Sequence, residues 1–163
     1  MPGVGRLVVR RETREGNMQK EIFLEMLAQN KMTCSYTFDG ITDENSGHRV
    51  NQQSASVGFI YRHIGETMNR FGFFFGVPTD VQNTTMGQQD EGQQYDLATS
   101  RMLVERGYDL LEQLVEETPE PAWLETIETP FFGRVSRARL FAHVLFHNSH
   151  HAGQISLTLS RGK

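Results

Sequence analysis

The chain has 163 residues, 37% hydrophobic and 22% charged, with a formal net charge of −4. This is the size and make-up of one globular domain and excludes a collagen-like, low-complexity or disordered chain. No apolar run reaches the roughly 18 residues of a membrane-spanning helix, and no basic stripe offers a surface for a phosphate backbone, so neither membrane nor nucleic acid is an expected partner.

A single cysteine, Cys34, allows no disulfide within the chain, which fits the reducing cytoplasm. Residues 1–17 place Arg6, Arg10, Arg11 and Arg14 around Leu7-Val8-Val9, too short a run for a signal-peptide core. They are expected to form a flexible tail, or an extension ahead of a start at Met18. The expected division is a tail over 1–18 and one domain over 19–163.

Four helices are predicted. Ile22, Phe23, Met26, Leu27, Lys31 and Cys34 follow helical spacing and place the first over 19–38. Gly40, Asp43, Asn45 and Gly47 mark a loop. Val57, Ile60, Ile64, Met68, Phe71 and Phe75 form a continuous stripe on a second helix over 54–75, which Gly76 and Pro78 stop. Residues 79–95 are polar and read as a long connection. Leu103, Leu110, Leu111 and Leu114 carry one face of a third helix over 97–117, with Val104, Tyr108 and Val115 beside it. Residues 122–135 hold aromatic and β-branched residues around Pro130 and Gly133, so a short strand or hairpin is expected there. Ser136 reads as the N-cap of a last helix over 137–160. The expected fold is all-α, a four-helix bundle. The long link between the second and third helices leaves simple up-down order open.

Four of the six histidines fall within residues 143–151, HVLFHNSHH. Neutral imidazole is the commonest protein ligand for transition metals, and two histidines four residues apart on a helix share one face. On a wheel of about 100° per residue with Leu140 at the origin, the apolar face is centred near 70°, with His151 near 20° and His147 near −20°. His143 and His150 fall near −60° and −80°, farther out, where they would support the ligands, meet a partner or face solvent. The third ligand is expected from another helix. His63 is the only histidine of the second helix and lies at the edge of its apolar face. Three protein ligands leave a coordination position open, the pattern of catalytic rather than structural sites. His48, in a Gly/Asn loop, is expected to be exposed.

Other chemistries find no support. H-E-x-x-H is absent because residue 148 is Asn, and neither G-x-x-x-x-G-K-[ST] nor G-x-S-x-G occurs. Thr67, one turn after His63, is a candidate to orient a ligand or water. Glu66 is a candidate base or fourth ligand, but its place on the wheel of the second helix, about −120° from Ile60, predicts a solvated carboxylate.

The stretch Phe146–Ile155, FHNSHHAGQI, resembles the C-terminal signature of the DinB-like superfamily, roughly H-x-x-x-H-x-G-Q. The stretch ASVGFIYRHIGETMNRF resembles that family's second helix, with its single histidine after a Ser-led apolar run. The resemblance covers about residues 19–160. It implies a four-helix bundle holding a divalent metal through His63, His147 and His151, the last two being the pair chosen from the wheel. It also implies a homodimer and, by analogy with several relatives, a thiol-dependent transferase or isomerase using a low-molecular-weight thiol. Ala152 stands where many relatives carry Arg, so a role for that Arg in docking a substrate anion does not carry over.

Three readings follow. The first is a metal-dependent enzyme of thiol S-transferase or hydrolase type, acting on a small molecule, with zinc as the expected ion and nickel, iron or manganese as alternatives. The second is a non-catalytic metal-binding stress-response protein. The third is a dimeric bundle without metal chemistry. Phe146 and Leu157 lie away from the core on the last helix, with Gly153 between them, and this stripe is the expected homodimer contact.

Overall fold

The computed structural model describes the backbone of residues 5–163 and the side chains of residues 18–163. Four helices make up most of it: α1 (Gly5–Phe38), α2 (Val57–Phe71), α3 (Leu97–Glu117) and α4 (Arg137–Arg161). A short antiparallel hairpin, β1 (Thr126–Thr129) and β2 (Gly133–Ser136), precedes α4, as expected from residues 122–135. Its turn closes on Gly133, whose φ of 62° lies in the left-handed region that glycine enters without a Cβ clash. Of the tail expected over 1–18, residues 1–4 and the side chains of residues 5–17 lie outside the described residues.

The helix ends follow from capping. Ser56 caps α2 by accepting from the Phe59 amide, so this helix starts at Val57 rather than at Ser54. After Phe71 the chain tightens into a 3₁₀ turn over Gly72–Phe75, which Gly76 ends at a φ of 89°. Asp96 and Ser136 cap α3 and α4, accepting from the amides of Thr99 and Arg139.

The packing order is not the chain order. α2 packs against α3 and α4, and α1 packs against α4 and α3, which puts α1 diagonally across from α2. Contact positions give the directions. Along α2 and α3, Arg62 meets Ser100, Asn69 meets the Leu103 carbonyl and Gly72 meets Leu110, so these helices are parallel. Along α2 and α4, His63 meets His147 and Phe71 meets His143, so these are antiparallel. Parallel neighbours cannot be joined by a tight turn. The long polar connection after α2 is the crossover that this pairing requires.

The core lies between the four helices. All six stripe residues predicted for α2 are buried, as are Leu140, Phe141, Val144, Leu145 and Ile155 of α4. α1 differs from expectation. Ile22 and Met26 are exposed, and the inward face carries Phe23, Leu27, Asn30, Cys34 and Phe38. Asn30 is buried without penalty because its side chain is fully engaged. It donates to the Leu145 carbonyl at 2.8 Å and to Ser149 Oγ at 2.9 Å, and accepts from Tyr108 Oη at 3.0 Å.

Candidate metal centre

α2 and α4 run antiparallel, so the middle of one faces the middle of the other. His63 projects from α2; His147 and His151 project from successive turns of α4. Ligand-capable atoms of the three side chains lie within 4.8 Å of one another. His63 Nε2 and His147 Nε2 are 3.0 Å apart. The ring centroids of His151 lie 4.9 Å from those of His63 and 4.4 Å from those of His147. All three rings are half-buried.

Two neutral imidazole nitrogens at 3.0 Å share either a proton or an ion. Two nitrogens bound to one divalent ion at about 2.0–2.1 Å stand about 3.0–3.4 Å apart over the usual range of angles, so the observed spacing fits an ion. The donor set fits too, because imidazole suits zinc, copper, iron and nickel.

Tautomers favour the same arrangement. His151 Nδ1 lies 2.6 Å from Gln154 Oε1, an acceptor, so this nitrogen carries the ring proton and leaves a lone pair on Nε2. His63 Nδ1 lies 3.2 Å from Thr85 Oγ1. His147 Nδ1 is buried without a hydrogen-bond partner.

Burial holds the three rings neutral, the form that binds metal. It is the largest cause in each case, since a buried imidazolium loses its hydration. His63 is lowered to about 4, with a further push from His151 and a smaller opposing pull from Glu66. His147 is lowered to about 2, with further contributions from His151, His63 and His143. His151 is lowered as well, partly offset by its bond to Gln154. A stability slope follows. Between the unfolded value near 6.5 and the depressed folded values, the unfolded chain binds protons that the folded chain does not. Metal-free protein is therefore expected to be most stable above about pH 6.5 and to lose stability as pH falls toward about 4. Urea midpoints taken across this window check it, and the slope should shrink when His63 and His147 are both replaced by Ala.

The remaining candidates fall into place around the triad. Glu66 is not a solvated carboxylate. It is 1% exposed, because the crossover folds back over this side of α2 and covers it. Its oxygens accept from Thr84 N (2.8 Å), Thr84 Oγ1 (2.5 Å), Thr85 N (3.1 Å) and Thr85 Oγ1 (2.8 Å). Thr67 is buried, and its hydroxyl has no hydrogen-bond partner. His143 is half-buried and stacks on Phe71 with centroids 5.8 Å apart, while the Phe132 ring meets it edge-on at 4.5 Å. His150 is exposed beside His151. His48 is half-buried rather than exposed, and its carbonyl accepts from the Val57 amide. Asn148, at the position where H-E-x-x-H carries Glu, turns into the core toward Met68 and Asn30. A cleft of about 700 Å³ lies between residues 43–58 and 92–96 and is lined by none of the three histidines.

Sequence reasoning missed Thr84 and Thr85, which lie in a polar stretch with no periodicity to mark them. Gln154 was within reach, since it lies three residues after His151, one turn along the same face.

The family model of the DinB superfamily matches residues 26–155, a span that contains all three histidines. The chain belongs to the DinB superfamily. No curated protein is similar enough to this DinB-superfamily chain to be matched. Among the described residues no helix is long and apolar enough to cross a membrane.

Proposed function

We propose that this DinB-superfamily protein binds one divalent metal ion through His63, His147 and His151 and acts as a metal-dependent enzyme of thiol S-transferase or hydrolase type. The observation that carries the reading is the convergence of three neutral imidazoles, with His63 Nε2 and His147 Nε2 3.0 Å apart. A bound ion supplies Lewis acidity, lowering the pKa of a water or thiol placed on it.

The chain's own residues define the rest. Among the described residues the cluster contains three histidines and no fourth His, Cys, Asp or Glu, which favours an open catalytic position over a closed structural one. Glu66, the nearby carboxylate, is occupied by two threonines. Cys34 is fully buried and its thiol pKa is raised by burial, so it is no nucleophile; a thiol reaction here takes its sulfur from a small molecule. Zinc is the first choice of ion, and nickel, iron and manganese follow. Elemental analysis of tag-free protein is expected to find one transition-metal ion per chain. Protein that carries none, and takes up none when titrated, would rule the reading out.

We also propose a homodimer through the α1–α4 face. Met18, Ile22 and Met26 of α1 and Phe146 and Leu157 of α4 are exposed, Phe146 by 74%. A groove of about 430 Å³ runs between Met26, Asn30, Leu145 and Phe146. A knob beside a groove on one face suits a two-fold contact, in which each copy's knob meets the other's groove. Sedimentation is expected to show a dimer for the parent chain and a monomer for Phe146→Glu.

A further inference from the structure

The crossover between α2 and α3 does more than join them. It returns to the bundle at Thr84 and Thr85, which lie across the outer side of α2 and give Glu66 all four of its hydrogen bonds. Three of these bonds converge on Oε2 and the fourth, from Thr84 Oγ1, reaches Oε1, so the buried carboxylate is turned toward the crossover and held there by both oxygens. Its role is therefore exerted through the residues it holds.

Thr85 is the one that reaches the triad. A hydroxyl has a single proton, and that of Thr85 is directed at Glu66 Oε2, 2.8 Å away. Toward His63 Nδ1, at 3.2 Å, the Thr85 oxygen can then only accept. The proton of the neutral His63 ring must sit on Nδ1, which leaves the lone pair on Nε2, the nitrogen 3.0 Å from His147 Nε2. The direction of the chain is fixed from its far end: His63 donates to Thr85, and Thr85 donates to Glu66.

We propose that Glu66 and Thr85 are positioning residues that hold His63 in its Nδ1–H tautomer and thereby set how tightly the triad takes a divalent ion. This rests on the metal-binding reading above. It makes the crossover part of the metal centre, although the crossover supplies no ligand. His151 receives equivalent support from Gln154 within its own helix. The support for His63 comes instead from 22 residues away in sequence, through a loop that a substitution can disturb without touching α2 or α4.

The test has two readouts. Long-range ¹⁵N–¹H correlation on metal-free protein near pH 7.5 reports the tautomer of His63, and competition with a chromophoric chelator reports the Kd for zinc. The parent chain should show His63 protonated on Nδ1. Thr85→Val and Thr85→Ala, which remove the hydroxyl, should abolish that pattern and raise the zinc Kd about 10–100-fold. Thr85→Ser should restore both. Thr84→Val loosens Glu66 without touching His63, and should preserve the tautomer and bind zinc more tightly than Thr85→Val does. The proposal is overturned if the parent His63 carries its proton on Nε2. It is also overturned if Thr85→Val keeps the parent tautomer and Kd, or if Thr84→Val weakens zinc as much as Thr85→Val. A parent chain that binds no zinc overturns the metal reading itself; the tautomers, read without metal, still decide whether Thr85 positions His63.

Discussion

Replacing His147 by Ala is expected to reduce bound metal from one ion per chain to none while leaving the four helices in place. His147 is the middle member of the triad. Its Nε2 faces His63 at 3.0 Å, and its ring is the closer of the other two to that of His151. Without it, two histidines on different helices remain, and neither is supported by the other. The helices do not depend on it, because α4 is anchored by Leu140, Phe141, Val144 and Ile155, each fully buried. Elemental analysis after dialysis and far-ultraviolet circular dichroism read the two halves of this result. Turnover of low-molecular-weight thiols with electrophilic acceptors should fall to background with the metal. Equal rates in the parent and in His147→Ala would eliminate metal-based catalysis.

The second large effect is expected from Gly107→Ala. Gly107 of α3 lies directly against Met68 of α2, and an added Cβ would stand 2.6 Å from Met68 Cβ and 2.9 Å from Met68 Cε. Met68 Cβ is fixed by the backbone of α2, so no rotation relieves the first contact. Overpacking of this kind costs about 1–3 kcal/mol. Ala gains about 1 kcal/mol over Gly in a helix, which offsets part of the loss. The net change should be a lower urea midpoint and a Tm reduced by about 2–4 °C per kcal/mol lost. Gly65 of α2 is the reciprocal position, where an added Cβ would meet Leu103 Cβ at 2.8 Å and Val104 N at 3.1 Å. Gly65→Ala should destabilise in the same way. Because His63 and Glu66 flank Gly65, it should also weaken metal uptake, which Gly107→Ala should affect less.

Particular residues show how far the sequence led. The stripe of α2 and the inner face of α4 were legible because long amphipathic helices repeat their pattern over several turns, and each further turn narrows the choice of face. The same wheel separated His147 and His151 from His143 and His150, and the structure brings the first two to His63. On α1 the choice failed for a physical reason. The neighbouring pairs Ile22-Phe23 and Met26-Leu27 each offer two faces about 100° apart. What decides between them is Asn30, a polar residue buried among Leu145, Ser149 and Tyr108. Hydropathy counts such a residue against the face that it occupies. Glu66 was misplaced because a wheel describes one helix against one core, whereas here a loop covers the other side. The parallel pairing of α2 and α3 left no local trace beyond the length of the connection.

The order in which the helices pack bears on how the chain is made. Synthesis proceeds from the N-terminus, and α2 can pair with α3 before α4 exists. At that stage His63 already has Thr85 and Glu66, 22 and 3 residues away, but its partners on α4 are 84 and 88 residues downstream. A chain without its last helix would carry one imidazole of the triad, too few donors to capture an ion firmly. The three histidines come together only when the final helix docks antiparallel on α2, so on the proposed metal reading loading would be a late event that follows assembly of the bundle. Ions met earlier, on the ribosome or by a truncated chain, find no finished seat.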